Sequence, residues 1–426
     1  MIARVRADAY ELLHPMSAIA EFWLPASAGA DSRRLLTTRA LRGFADGAVS
    51  VLLPGYLAAI GFSSFEIAVI IFATLTGSAA LTLWIGFVAN RIGRRRVLLA
   101  ACALMFATGV GFTLVTALWP LFVVAFVGTL NPSAGDVSLF LPVEQSALAE
   151  TVVTRDLTAI FSRYNVAGAF AGALGALASG LPALMASRLG VDRAAALRLG
   201  FVAYSAIAVV AALVYRNLTS AVETAPTAQA SAPLAKARRI VFQLSALFSL
   251  DSFGGGLVVQ SLLALWLFRR FNLSIAAAGS FFFAAGLFGA ASQLASSWLA
   301  ARIGRINTMV FTHIPANVFM VIAAFMPNLH LTLMFLLFRY ALSSMDVPAR
   351  QSFVMAVVPP EERAAAASVT NVPRSLATAL GPLPAGALLD YTTFGWPLVL
   401  AGLVKITYDV LLLRRFRAVV PEDERE

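Results

Sequence analysis

Four aspartates interrupt segments that are otherwise strongly apolar: Asp46, Asp136, Asp251 and Asp346. An ionised side chain at membrane depth costs at least about 2.5–3.5 kcal/mol, so each aspartate is a candidate functional group. Because desolvation favours the neutral acid, a carboxylate in such a place is suited to binding and releasing a proton. Asp136 and Asp251 have no oppositely charged residue three or four positions away. We therefore take Asp251 as the leading candidate.

Same-helix ion pairs give the other interpretation of these charges. The pairs Arg42 with Asp46, Asp346 with Arg350, and Lys405 with Asp409 are each spaced i,i+4. Side chains at this spacing share a helix face, so the members of a pair can neutralise one another. For Asp46 and Asp346 a functional and a structural role both remain open. For the third pair we predict a structural role.

Two arginines, Arg339 and Arg374, are the basic counterparts of the aspartates within apolar segments. A guanidinium group binds a carboxylate or a phosphate through two parallel hydrogen bonds. These two residues are therefore candidates either for binding a small anion or for pairing with the aspartates across helices.

The elements that must position these charges are long apolar segments. Of the 426 residues, 59% are hydrophobic and 13% are charged, and the mean hydropathy is +0.81. Soluble domains carry roughly 25% charged residues, and a helix needs about 20 apolar residues to cross a bilayer. The sequence predicts twelve membrane-spanning segments, numbered 1 to 12: 35–60, 64–88, 97–117, 119–148, 157–183, 194–215, 238–268, 275–299, 306–326, 329–357, 364–389 and 394–415.

The chain contains an internal repeat on either side of a polar stretch at 217–237. Asn90-Arg91-Ile92-Gly93-Arg94 returns as Ala301-Arg302-Ile303-Gly304-Arg305, 211 positions later, and Gln145-Ser146 returns as Gln351-Ser352, 206 positions later. Both copies lie at matching places in the two sets of six segments. Repeats of this kind place a substrate site at their interface, near the midplane of the bilayer.

The loop between segments 2 and 3 carries a recognisable motif. Gly86, Asn90, Arg91, Gly93, Arg94 and Arg95 resemble the loop signature of the major facilitator superfamily, in which Asp usually stands at the position of Asn90. The resemblance implies an all-α polytopic fold of twelve transmembrane helices in two pseudo-symmetric six-helix bundles. It also implies that the loop acts as a latch between conformations, and that segments 1, 4, 7 and 10 line a central cavity.

The resemblance assigns places to further charged residues. Arg302, Gly304 and Arg305 form the second copy of the loop signature. Arg91, Arg94 and Arg95 can pair with carboxylates at the inner ends of helices, such as Glu144 or Glu150. Glu144 and Arg350 occupy equivalent repeat positions, and a salt bridge between them is our hypothesis for a cytoplasmic gate.

The distribution of arginine and lysine sets the expected topology. Basic residues concentrate in the loops that share a side with both termini, which the positive-inside rule assigns to the cytoplasm. We therefore expect a multi-pass protein of the inner (plasma) membrane, monomeric, with both termini cytoplasmic. The predicted units are a tail at 1–34 without a cleavable signal, a bundle at 35–216, a linker at 217–237, a bundle at 238–416 and a tail at 417–426.

Several classes of function are excluded by pattern. The sequence has no Walker loop, no dinucleotide fingerprint after a strand and no metal-ligand spacing, so we expect no enzymatic activity, cofactor or metal. The net charge of +10 sits in short loops and does not indicate a nucleic-acid partner. The leading hypothesis is proton-coupled export of a small organic solute by alternating access. The alternatives are proton-coupled uptake of a metabolite, including an anion, and a transport-inactive receptor or membrane enzyme.

Overall fold

The structure is a computed structural model that describes residues 24–25, 27–133, 138–153, 156–223, 237–359, 362–417 and 419, with the backbone alone at 86–91, Thr158 and Ala364. Every regular element in these ranges is helical. The α-helices are α1 (Ala30–Ala59), α2 (Ser64–Ile92), α3 (Arg94–Leu114), α4 (Leu118–Val127), α5 (Phe140–Ala149), α6 (Leu157–Ala178), α7 (Leu181–Leu189), α8 (Arg193–Tyr215), α9 (Arg238–Gly256), α10 (Gln260–Phe271), α11 (Ile275–Ile303), α12 (Arg305–Phe325), α13 (Leu329–Ser343), α14 (Asp346–Val357), α15 (Arg363–Leu380), α16 (Pro382–Tyr391) and α17 (Trp396–Phe416). A 3₁₀ turn at Ser220–Glu223 follows α8.

The predicted all-α polytopic fold is confirmed, and helices occupy each of the twelve predicted segments. Within the described ranges, eight helical stretches are long and apolar enough to cross a membrane: Ser64–Ile85, Arg94–Leu114, Ala159–Leu189, Arg193–Tyr215, Arg238–Phe271, Ile275–Ile303, Arg305–Phe325 and Trp396–Phe416. The four other segments, 1, 4, 10 and 11, either carry several charges or are divided into two shorter helices.

The helix breaks follow the local sequence. Segment 7 divides where Gly254-Gly255-Gly256 ends α9, and segment 11 divides at Gly381, after which Pro382 opens α16. Glycine costs more conformational entropy in a helix than other residues, and proline cannot donate the backbone hydrogen bond that would continue the helix. Breaks of this kind give the chain freedom to bend inside the bundle.

The packing of the helices repeats the sequence symmetry. In the first half, α1 packs on α6, α3 on α8 and α2 on α4; in the second half, α9 packs on α15, α12 on α17 and α11 on α13. These are the same three pairs of segments in each half. The two halves meet along α6 with α11 and along α2 with α15 and α16. The interface is therefore itself two-fold.

Small residues bring α1 and α6 into backbone contact. A Cβ atom added at Gly43 would lie 2.6 Å from the carbonyl oxygen of Gly168, and one added at Gly47 would collide with the carbonyl of Gly172. Small residues at helix interfaces allow such an approach in membrane proteins. These two glycine contacts fix how α1 lies against α6. This position matters because α1 carries residues of the first cluster of buried charges.

Among the described residues, the hydrogen bonds between the halves lie toward one end of the bundle. We call the end where α1 begins, α8 ends and α9 begins the linker end. Away from it, the Ser261 hydroxyl donates to the carbonyl oxygens of Ser50 at 2.7 Å and Pro132 at 3.0 Å. The Asp390 carboxylate accepts from the backbone N–H groups of Ser64 at 2.7 Å and Phe65 at 3.1 Å. The halves are thus fastened together opposite the linker end.

The contact between α1 and α6 predicts a sharp difference between two glycine substitutions. Gly47→Ala places a methyl group against a backbone carbonyl, and overpacking of this kind costs about 1–3 kcal/mol. Gly29→Ala is the matched control, because a Cβ atom there meets nothing within 4 Å. Thermal unfolding of the two purified variants in detergent measures the difference. Equal melting temperatures for the two would contradict this packing.

Candidate functional site

The first buried cluster surrounds a glutamate from α5. We call Thr38, Arg42, Glu144, Tyr164 and Tyr215 the Glu144 cluster. Glu144 accepts hydrogen bonds from the hydroxyls of Thr38 at 2.9 Å and Tyr164 at 2.5 Å, and further ones from Tyr215 and the Arg42 guanidinium. Glu144 is 0% exposed and Arg42 is 1% exposed. Five groups from α1, α5, α6 and α8 therefore form one neutral polar core.

The guanidinium of Arg42 is held on its other sides as well. It lies 4.3 Å from the ring centroid of Phe140 and donates to the Ser138 hydroxyl at 3.3 Å. A buried ion pair is stable only when additional hydrogen bonds and contacts satisfy its remaining groups. The cluster meets that condition, so it ties α1 to the linker-end half of segment 4.

Asp46 lies one turn after Arg42 but is not its ion-pair partner. Arg42 binds Glu144, and the buried carboxyl of Asp46 has a hydrogen bond with the side chain of Asn131. The spacing suggested that Arg42 and Asp46 could neutralise each other within one helix. In the structure Glu144, which lies on another helix, is the ion-pair partner of Arg42 instead. Asp136, the aspartate of segment 4, lies outside the described residues.

The second buried cluster joins four helices of the other half. We call Asp251, His313, Asp346, Arg350, Lys405 and Asp409 the Asp251 cluster. Asp251 on α9 binds Lys405 of α17 at 2.6 Å and Arg350 of α14 at 3.3 Å. Arg350 also binds Asp346 at 3.2 Å, so the i,i+4 pairing that the spacing allowed forms in this structure. Asp251, the leading candidate from the sequence, thus lies at the centre of the cluster.

His313 and Asp409 complete this cluster. Nδ1 of His313 lies 2.9 Å from one Asp409 carboxylate oxygen and 3.0 Å from the other, and Nε2 lies 3.8 Å from Asp251. Asn317 donates to Asp409 at 3.4 Å. The cluster holds three carboxyl groups, two strong bases and one imidazole. Its acids bind protein cations, and no group of three or more His, Cys, Asp or Glu side chains among the described residues is arranged to hold a metal ion.

Two sequence interpretations need correction here. Lys405 and Asp409 were predicted to pair on one face of their helix, which is wrong, because Lys405 binds Asp251 and Asp409 binds His313. Partners on other helices compete with the i,i+4 neighbour, and spacing within one helix cannot show them. From the sequence, a lone histidine such as His313 is more often a packing residue than a proton relay. Spacing could not show its partner, Asp409, on another helix.

Glu144 and Arg350, the proposed gate pair, belong to different clusters in this conformation. Each is buried and bound to charges of its own half. A bridge between them remains a prediction for another conformation.

The remaining intramembrane arginines have different surroundings. Arg374 on α15 donates to the Ser252 hydroxyl and to the Asn371 side chain, both at 3.2 Å. Arg339 on α13 lies 4.9 Å from the ring centroid of Tyr340. A third arginine, Arg39 on α1, lies 5.2 Å from the ring centroid of Tyr164. Sequence inspection missed Arg39, although it lies within apolar segment 1.

The loop signature adopts the same turn in both halves. Gly93 and Gly304 have φ angles of +97° and +84°, which glycine adopts without strain. The backbone N–H groups of Arg94 and Arg95 each donate to Glu223 at 2.8 Å, so this carboxylate caps α3. Sequence inspection missed Glu223 because it lies within the stretch assigned as a linker.

Other residues of the signature have different surroundings. Arg94 lies 3.6 Å from Glu150, one of the two carboxylates expected to pair with this loop. Arg302 stacks on Trp298, 4.1 Å from the ring centroid, and its neighbour Arg305 begins α12. Only the backbone is described at Gly86, Asn90 and Arg91, where it is helical.

Comparisons with known proteins agree with this architecture. Residues 35–345 match the sequence model of the Major Facilitator Superfamily. An uncharacterized membrane protein of Saccharomyces cerevisiae, YJR124C, is 25% identical, over 92% of this chain and 95% of its own length.

Solved transporter structures share the fold. The inward-open xylose transporter XylE from E. coli superposes with a TM-score of 0.72 at 13% identity, covering 92% of this chain and 98% of that one. The D323A mutant of the nucleoside transporter NupG gives a TM-score of 0.70 at 15% identity, covering 91% and 99%. Identities this low establish the fold alone.

The Glu144 cluster predicts unequal effects of two glutamate substitutions. Glu144→Gln leaves the buried Arg42 without its counter-charge, and breaking a buried pair costs roughly 3–5 kcal/mol. Glu150→Gln, at a partly exposed glutamate that pairs with Arg94, should cost less than about 1 kcal/mol. Thermal unfolding in detergent compares the two. The interpretation fails if Glu144→Gln is as stable as the control.

Proposed function

The chain belongs to the Major Facilitator Superfamily, and from this premise we propose that it is a proton-coupled secondary transporter that exports a small organic solute by alternating access. Family and fold indicate secondary transport of small solutes rather than catalysis. The coupling to protons and the direction of transport are the parts that we propose beyond the family and the fold. The charge balance of the Asp251 cluster is the observation that carries the proposal.

The Asp251 cluster is electrically neutral only when it holds one additional proton. With His313 neutral, its three carboxylates and two strong bases leave one uncompensated negative charge. All six residues are at most 7% exposed, and an uncompensated charge away from water is strongly unfavourable. One proton, bound at the His313 and Asp409 pair, removes that charge. The cluster therefore has the composition of a proton-binding site.

The position of the cluster connects proton binding to helix movement. Asp251 and Arg350 belong to segments 7 and 10, which line the central cavity in the superfamily, whereas His313 and Asp409 belong to segments 9 and 12. Loss of the proton leaves the cluster with one negative charge in excess. The ion pairs that Lys405 and Arg350 make with the carboxylates must then rearrange. We expect the helices of this half to shift in response, since a proton and a cargo linked in this way change each other's affinity.

The conformation fits one end of a transport cycle. The described hydrogen bonds between the halves lie away from the linker end. With both termini placed in the cytoplasm of the cell, as the positive-inside rule predicts, this is an inward-facing state. In the outward-facing state the linker ends would approach each other, and Glu144 with Arg350 and the two signature loops would fasten them. Function as a monomer in the inner membrane completes the proposal.

Asp409→Asn tests the proton site. The amide keeps the size of the side chain but removes one negative charge, so the cluster is neutral without a bound proton. We expect the variant to lose at least about tenfold in transport driven by a pH gradient, a loss in the range of acid–base groups, while exchange of cargo without a gradient persists.

The assay uses proteoliposomes with a pH gradient imposed in either direction and an internal pH dye. Its cargo is the compound that most raises the melting temperature in a panel of carboxylates, phosphate esters, amines and nucleosides. Asp192→Asn at the exposed N-terminus of α8 is the control, because asparagine also caps a helix. Gradient-driven transport by Asp409→Asn equal to that of this control would refute proton coupling through the cluster. Accumulation only with the gradient that drives uptake would refute export.

A further inference from the structure

Helix α2 begins at the interface between the halves, and its first donors are divided between two partners. Ser63 and Glu66 form a capping box, in which the Glu66 N–H donates to the Ser63 hydroxyl at 3.1 Å and the Ser63 N–H donates to the Glu66 carboxylate at 2.8 Å. The N–H groups of Ser64 and Phe65 donate instead to Asp390 on α16. A carboxylate of the second half therefore completes a helix N-terminus of the first.

Arg269 on α10 joins the same contact. Its guanidinium donates to the Ser64 hydroxyl and lies 3.4 Å from the Asp390 carboxylate. We call Ser64, Phe65, Arg269 and Asp390 the Asp390 latch. A carboxylate at a helix N-terminus is stabilised by its hydrogen bonds, by the helix dipole and, in this latch, by the arginine. Separating α2 from α16 breaks both N–H bonds to Asp390.

Helix α16 approaches α2 closely enough to place this carboxylate. A Cβ atom added at Gly386 would collide with the Cβ atom of Ala68 and would lie 3.0 Å from the carbonyl oxygen of Ser64. Gly386 precedes Asp390 by four positions, so the two residues share a face of α16. The absent side chain of Gly386 therefore lets Asp390 reach the first turn of α2.

The latch is not part of the packing plan that the two halves share. On the other side of the interface α11, the repeat equivalent of α2, packs on α6, and serines 211 positions apart cap both α2 and α11. The carboxylate has no such counterpart, because the residue 206 positions before Asp390 is Leu184. The α6 side closes through small residues instead, and a Cβ atom added at Gly180 would lie 2.5 Å from the Cα atom of Ala276.

The exposure of the latch allows it to open. The side chains of Asp390 and Arg269 are 31% and 35% exposed, whereas Glu144 is fully buried. Water can replace the hydrogen bonds of the exposed groups when the halves separate, so contacts of this kind contribute modestly and reversibly. A modest contribution is enough to change the proportions of two conformations that are both populated.

We propose that the Asp390 latch sets the proportion of the two end states of the transporter by holding the end opposite the linker end closed. This inference rests on the alternating access of the proposed function, and it requires neither proton coupling nor a particular cargo. When this end opens, the N–H groups of Ser64 and Phe65 and the carboxylate of Asp390 bind water. The free-energy difference between these two sets of bonds enters the equilibrium between the states.

Distance measurements in the full-length protein test the latch. Spin labels at 116 and 327 lie on different halves at this end, in a Cys102→Ser background, and double electron–electron resonance is recorded in nanodiscs at one fixed pH. Asp390→Asn keeps the size of the side chain but removes its charge and one of its two acceptor atoms. We expect the ratio of the long-distance to the short-distance population to rise roughly threefold to tenfold, the range of a helix cap and a charge at a helix N-terminus.

Glu66→Gln is the matched control. It also removes a negative charge from the first turn of α2, but the contact of Glu66 stays within the first half, so the ratio should equal that of the parent. Arg269→Gln should change the ratio in the same direction as Asp390→Asn. The double variant should differ little from the larger single effect, because residues of one network are not additive. Thermal unfolding of each variant shows that its fold is retained.

Salt supplies a test that needs no substitution in the latch. Raising the salt concentration from about 0.05 M to about 0.5 M screens exposed charges, so the long-distance population of the parent should increase. The increase should be smaller in Asp390→Asn, where the charge of the latch is already absent.

The outcomes separate this inference from alternating access itself. A higher ratio in Asp390→Asn than in Glu66→Gln supports the latch. Two populations with equal ratios in the parent, Asp390→Asn and Glu66→Gln overturn the latch and leave alternating access in place. An equal rise in both variants also overturns it, since any charge at this helix end would then have the same effect. A single unchanged distance in every variant overturns the movement of the halves as well.

Discussion

The structure depends on neutralising charges that are buried away from water. An isolated ionised group in a low-dielectric interior is so unfavourable that each one must find a counter-charge or several hydrogen bonds. Glu144 meets this requirement with one arginine and three hydroxyls, and Asp251 meets it with two bases. These bonds cross between helices, so they determine which helices lie together in each half.

The two halves share a packing plan but distribute their charges differently. Both pair their first segment with their fifth and their third with their sixth, as the repeat requires. In the first half Arg42 and Glu144 form a balanced pair enclosed by tyrosines, and Asp46 is buried separately beside Asn131. In the second half the Asp251 cluster contains six ionisable residues. When His313 is neutral, its carboxylates outnumber its positive charges by one. The excess acid of the Asp251 cluster is the feature on which the proposed proton coupling rests.

The sequence predicted the twelve helical segments and the repeat well, because hydropathy and the glycine-arginine loops are local signals. It offered the Asp346 and Arg350 pair as one of two interpretations, because partners four positions apart share a helix face. It failed for Lys405, because the stronger partner, Asp251, is distant in sequence. It also failed for Glu223, whose role depends on the turn after α8 folding against α3. Contacts between helices that are far apart in sequence produce no regular residue spacing, so they cannot be predicted from the sequence alone.

The central claim is that the two halves rock against each other and that the buried charge clusters control this movement. Distances between the halves, measured at both ends of the bundle, test this claim most directly. Spin labels at 96 and 301 report on the linker end, and labels at 116 and 327 report on the opposite end; the one native cysteine, Cys102, is buried. Double electron–electron resonance in nanodiscs at about pH 6 and about pH 8 spans the titration range of histidine. We predict two populations whose proportions change with pH, with the linker-end distance shortening as the opposite one lengthens. A single population with unchanged distances at both ends would contradict the account.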